Sequence, residues 1–114
     1  MTGYEVDRQG WANRDIFSQL GNLGAEIGRT IAAWERGQSE RFEGALLRAL
    51  DLFDATTEGL VAQRSPRLKE VRRARELFLG LFFADSAEPD PAGIVTYFMQ
   101  YATAARLRTM SRED

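Results

Sequence analysis

The chain contains no histidine and no cysteine. Those two absences exclude thiolate and imidazole metal ligands, cysteine nucleophiles, disulfides and every catalytic triad built on a histidine base. Proline is scarce, with 3 residues spread along 114 positions, which leaves room for long helices. No apolar run approaches the ~20 residues needed to span a bilayer as a helix. Charge of one sign is also missing: acids and bases are interspersed and the formal net charge is -2. That balance calls for neither nucleic acid nor an anionic membrane as a partner. The opening MTGYEVDRQGW lacks the basic and apolar regions of a signal peptide, so a cytoplasmic location is the expectation.

What is present is helical periodicity. A first helix is expected from Asp15 to Arg36, with Asn13 as N-cap and Gly37 as stop. Ile16, Leu20, Leu23, Ile27, Ile31 and Trp34 recur at spacings of four and three and form its apolar stripe. A second helix is expected from Ser39 to Glu58, ended by Gly59, with Phe42, Leu46, Ala49, Phe53 and Thr57 on one face. A third begins at Ser65-Pro66, a cap followed by proline at the first helical position. Its stripe is Leu68, Val71, Phe78 and Phe82. A fourth starts at Asp90-Pro91, turns Ile94, Phe98, Tyr101, Ala102 and Ala105 inward, and frays after Met110. Short connections favour antiparallel neighbours, which gives an all-α, up-down-up-down four-helix bundle over residues 13–110. Residues 1–12 are an arm that Tyr4, Val6 and Trp11 could pack, and residues 111–114 are a frayed tail.

Three features stand out against this scaffold. Gly21, Gly24 and Gly28 fall on one flank of the first helix, where each costs roughly 0.5–1 kcal/mol relative to alanine. Such a strip permits a close helix crossing within the chain, a homodimer seam, or a groove for a flat ligand. The third helix carries Arg64, Arg67, Lys69, Arg72, Arg73 and Arg75, with Glu70 the only acid among them. This cluster is either a solvated face paired to the acidic second helix or an anion site. Arg75 projects into the apolar stripe, where an unpaired guanidinium would be very costly. Asp54 is its first candidate partner and Glu26 the second. A structural ion pair, a charged pocket for an anion, and a snorkelling arginine at a dimer edge all fit that position.

The acids include pairs that could ligate a metal. Glu40 with Glu43, and Asp51 with Asp54, lie three residues apart on one helix face and could hold Mg²⁺ through oxygen. All-α nucleotide pyrophosphatases resembling MazG place such pairs on separate helices, whereas here both fall on one helix, and solvated acids are the better account. Serine and threonine nucleophiles lack a usual general base, and Lys69 is the only lysine. No catalytic residue, metal or cofactor is therefore expected.

The runs WANRDIFSQLGNLGAEIGRTI, RALDLFDATTE, RLKEVRRARELFLGLFF and YFMQYATAARL carry a pattern: W-x-N-R-x-I-F-x-Q-L-G-N, then R-A-L-x-L-x-D, R-x-K-E-x-x-R-x-R-E and Y-F-x-Q-x-A. Over Trp11 to Leu107 it resembles a family of small, uncharacterised bacterial all-helical proteins, a resemblance that implies a fold but no activity. In helix order it is also similar to HEPN-type four-helix domains and to the helical companions of small nucleotidyltransferases. HEPN ribonucleases carry an Arg-x4–6-His motif, which a chain without histidine cannot have. That likeness thus implies a non-catalytic member that binds RNA or a nucleotidyltransferase-like partner through Arg72, Arg73 and Arg75. The leading expectation is a non-enzymatic interaction module, homodimeric through its glycine strip and surplus aromatics. A nucleotide or nucleic-acid binder using Arg67, Arg72, Arg73 and Arg75 comes second, and a Mg²⁺-dependent nucleotide hydrolase third.

Overall fold

A computed structural model describes residues 6–83, 93–100 and Thr103. The described residues are all helix and turn. Helix α1 is Arg8–Ala12, α2 is Ile16–Glu35, α3 is Ser39–Ala62 and α4 is Leu68–Phe83. A further helix, α5, covers 93–100. No helix among the described residues is long and apolar enough to cross a membrane.

Helix α2 is capped by Asp15, not Asn13: the Asp15 carboxylate accepts from the Ser18 amide at 2.8 Å. Asn13 instead closes α1 as its C-cap. Both long helices end in the same way. After α2, Gly37 takes φ 67°, its amide bonds the Trp34 carbonyl, and the Gln38 amide bonds that of Ala33. After α3, Arg64 takes φ 53° and repeats the pattern, with Arg64 bonded to Val61 and Ser65 to Leu60. This paired closure is a Schellman motif, and it satisfies carbonyls that the last helical turn leaves open. Gly59 does not end α3 as its type suggests, because Leu60 is buried and carries the apolar face one turn further.

The core is centred on three phenylalanines, each 0% exposed: Phe53 of α3, Phe78 of α4 and Phe98 of α5. Ring centroids lie 5.8 Å apart for Phe53–Phe78 and 6.0 Å for Phe53–Phe98. Leu20, Leu23, Ile27 and Ile31 of α2 are buried as their spacing requires, and Val71 joins them from α4. The α3 face is rotated from expectation: Thr56 is buried while Thr57 is only half-buried. Asp90-Pro91, Tyr101, Ala102, Ala105 and Tyr4 lie outside the described residues.

Residues 6–12 of the expected arm pack against α2 and α3. Trp11 is buried and its Nε1 donates to Thr56 Oγ1 at 3.0 Å, while Thr56 donates to the Leu52 carbonyl. Gln19 Nε2 donates to the carbonyls of Trp11 and Arg14. Asp51 accepts from the Val6 amide and from Arg8, and Arg8 also pairs with Glu58 at 3.0 Å. The Trp11, Arg14 and Gln19 of the first sequence pattern thus fasten α1 to α2 and α3.

Candidate functional site

Among the described residues the buried charge is Glu26, in the apolar stripe of α2 between Leu23, Ile27 and Thr30. Its side chain is 8% exposed. One oxygen accepts from Arg29 at 2.9 Å and the other from Arg48 Nε at 2.8 Å. Arg29 stands three residues along the same helix, while Arg48 reaches across from α3. A carboxylate enters a core only with such partners. The arginines themselves remain 62% and 38% exposed, so their charges stay hydrated while the carboxylate is sealed.

Two clefts flank this cluster. One, of about 370 Å³, lies beneath α1 and is lined by Gly10, Trp11, Arg14, Asn22, Glu26 and Arg29. The Arg14 guanidinium sits 5.9 Å from the Trp11 ring. The other, of about 480 Å³, runs between α2 and α3 and is walled by Arg29, Arg36, Arg41 and Arg48 over Ala33 and Ala45.

A third feature is aromatic and lies where α2 ends, α3 begins and α4 ends. The Phe82 ring takes edge contacts from Trp34 at 5.3 Å, Phe42 at 5.0 Å and Phe83 at 6.1 Å. Phe82 and Phe42 are half-buried, yet Trp34 is 45% and Phe83 66% exposed. Trp34 was expected in the core stripe; it sits instead at the solvent end of it.

The residues singled out in the sequence fall in several places. Gly24 is a close crossing within the chain: a Cβ added there would stand 2.5 Å from Phe98 Cβ. Gly21 is buried, and Gly28 has nothing within 4 Å of an added Cβ. Gly24 and Gly28 thus differ in their surroundings. Arg75 meets its first candidate partner, Asp54, at 3.8 Å, but the side chains are 38% and 57% exposed. The contact is loose and half-exposed, yet Arg75 Nε itself is buried and makes no hydrogen bond among the described residues. Glu26, the second candidate, is engaged by Arg29 and Arg48.

The Arg67 guanidinium lies 5.7 Å from the Phe17 ring centroid. Arg72 and Arg73 are exposed. Among the acids, Asp51 is engaged by Arg8 and the Val6 amide, while Glu40, Glu43 and Asp54 are exposed. Among the described residues no three acids converge on a point where a metal could sit.

The four-arginine cleft escaped the sequence reading. Its signal was there: Arg29 and Arg36 precede the turn, Arg41 and Arg48 follow it, and the two pairs stand at matching distances on either side. Two helices folded back at that turn bring such positions face to face.

No family model matches the chain, and no curated relative and no solved structure matches it either.

Proposed function

We propose that this chain is a non-enzymatic helical interaction module that works as a homodimer, built on an up-down-up-down antiparallel four-helix bundle. The observation that carries the reading is the aromatic end. Trp34 and Phe83 present large apolar surface to solvent on a base of Phe42 and Phe82. Contiguous exposed aromatics concentrate at protein interfaces, where Trp and Phe anchor binding. A second copy is the occupant that suits the charges beside it. Glu35 follows Trp34 in the chain, and Arg41 and Glu43 flank Phe42, so the rim offers both signs. A two-fold partner meets each sign with its opposite. Light scattering on the purified chain tests the assignment: a mass of twice 12.9 kDa is expected, and a strict monomer at tens of micromolar removes it.

A second reading draws on Lys69, Arg72 and Arg73, exposed on α4 and without an ion pair among the described residues. They suit a HEPN-like module holding RNA or a nucleotidyltransferase-like partner. It predicts salt-dependent RNA binding that falls in the double variant Arg72→Ala/Arg73→Ala. No binding at low salt removes that reading.

A further inference from the structure

The cleft between α2 and α3 gathers four arginines in a chain whose net charge is -2. They form two tiers. Arg29 and Arg48 converge on Glu26 at the inner tier, held by bonds of 2.9 and 2.8 Å. Arg36 and Arg41 form the outer tier and make no ion pair among the described residues. Along each helix the tiers are seven residues apart, about 10 Å at the α-helical rise. Glu40 is the acid that lines the cleft, and Glu26 accepts from the inner arginines, so positive charge stays in excess. Between the tiers the floor is Ala32, Ala33, Gly44 and Ala45. Nothing on that floor is larger than a methyl, so a ligand can lie close to both helices.

From this arrangement we infer a binding site for a linear phosphate chain, as carried by a nucleoside triphosphate or by inorganic tripolyphosphate. The planar fork of arginine grips phosphate oxygens bidentately, and it stays charged at any physiological pH. Two tiers of guanidinium suit a ligand with charge repeated along its length better than a single carboxylate. Glu26 fixes Arg29 and Arg48 in advance, which reduces the ordering cost of binding. Arg36 and Arg41 supply the charge that Glu26 does not neutralise. The cleft volume lies within the range of small-molecule sites.

Isothermal titration with ATP, AMP and sodium tripolyphosphate, at constant low ionic strength, tests the site. The wild type is expected to bind ATP and tripolyphosphate, and AMP at least ~10-fold more weakly because it reaches one tier only. Equal affinity for ATP and tripolyphosphate identifies the phosphate chain alone as the ligand; tighter ATP adds a nucleoside contact. Arg36→Ala/Arg41→Ala removes two exposed side chains and is expected to weaken both ligands at least ~10-fold, with unchanged helical circular dichroism in ligand-free buffer. Arg72→Ala/Arg73→Ala, on the other helix, is expected to bind as wild type. The inference is overturned by no binding of either ligand, by equal binding of AMP, or by a loss that follows Arg72 and Arg73 instead of Arg36 and Arg41.

Discussion

Gly24 of α2 and Phe98 of α5 approach so closely that an added Cβ would stand 2.5 Å from Phe98 Cβ and 3.3 Å from its carbonyl carbon. The contact is partly with backbone, which cannot swing aside. Gly24→Ala is expected to lower stability by about 1–3 kcal/mol, the usual cost of overpacking. Gly28 lies one turn on with open space around it. Gly28→Ala is therefore expected to add about 0.5–1 kcal/mol through helix propensity. Urea unfolding of the two variants checks the opposite signs. Equal losses in both would mean that the glycines pack as a single strip after all.

Arg64 holds a left-handed conformation, φ 53°, at the end of α3, in the position that Gly37 occupies after α2. A side chain there costs about 1–2 kcal/mol relative to glycine. Arg64→Gly is expected to raise the unfolding free energy by about 1 kcal/mol. Thermal denaturation reads it as a higher melting temperature.

Trp11 secures α1 by its ring in the core and by its Nε1 on Thr56. Trp11→Phe keeps most of the apolar burial, and Thr56 retains its bond to Leu52. A loss of about 1 kcal/mol is expected. Trp11→Ala empties the site and is expected to cost about 3–5 kcal/mol. Hydrogen exchange of the amides around Val6–Asn13 should then approach that of an unfolded segment.

Glu26→Gln keeps the shape of the side chain and removes its charge. Arg29 and Arg48 would not be stranded, since 62% and 38% of their side chains reach solvent. The expected loss is thus about 1–2 kcal/mol, below the 3–5 kcal/mol typical when a sealed pair is broken. Denaturant titration measures it, and a loss above that range would place the arginines in a drier setting than their exposure indicates.

The α2 face was legible because Leu20, Leu23, Ile27 and Ile31 repeat at helical spacing, and periodicity is a local property. The all-helical character followed from the same signal. Among tertiary partners, Asp54 for Arg75 was legible, and most others were not. Arg48 lies 22 residues from Glu26, and Thr56 lies 45 from Trp11, so no local rule pairs them. Gly59 and Asn13 misled because residue type suggested a boundary that burial of Leu60 and the Asp15 cap overrode. For Arg75 the helical projection led to its partner, Asp54, while the length of the side chain leaves the pair half-exposed. The four-arginine cleft needed the turn to be read as a mirror between α2 and α3.

Sedimentation equilibrium tests the aromatic end as a self-association surface. Wild type and Trp34→Glu/Phe83→Glu would be compared across a wide concentration range. Both side chains are largely exposed, so the fold should survive the change. The account predicts a dimer for the wild type and a monomer with unchanged circular dichroism for the variant. A wild type that stays monomeric, or a variant that remains dimeric, would contradict it.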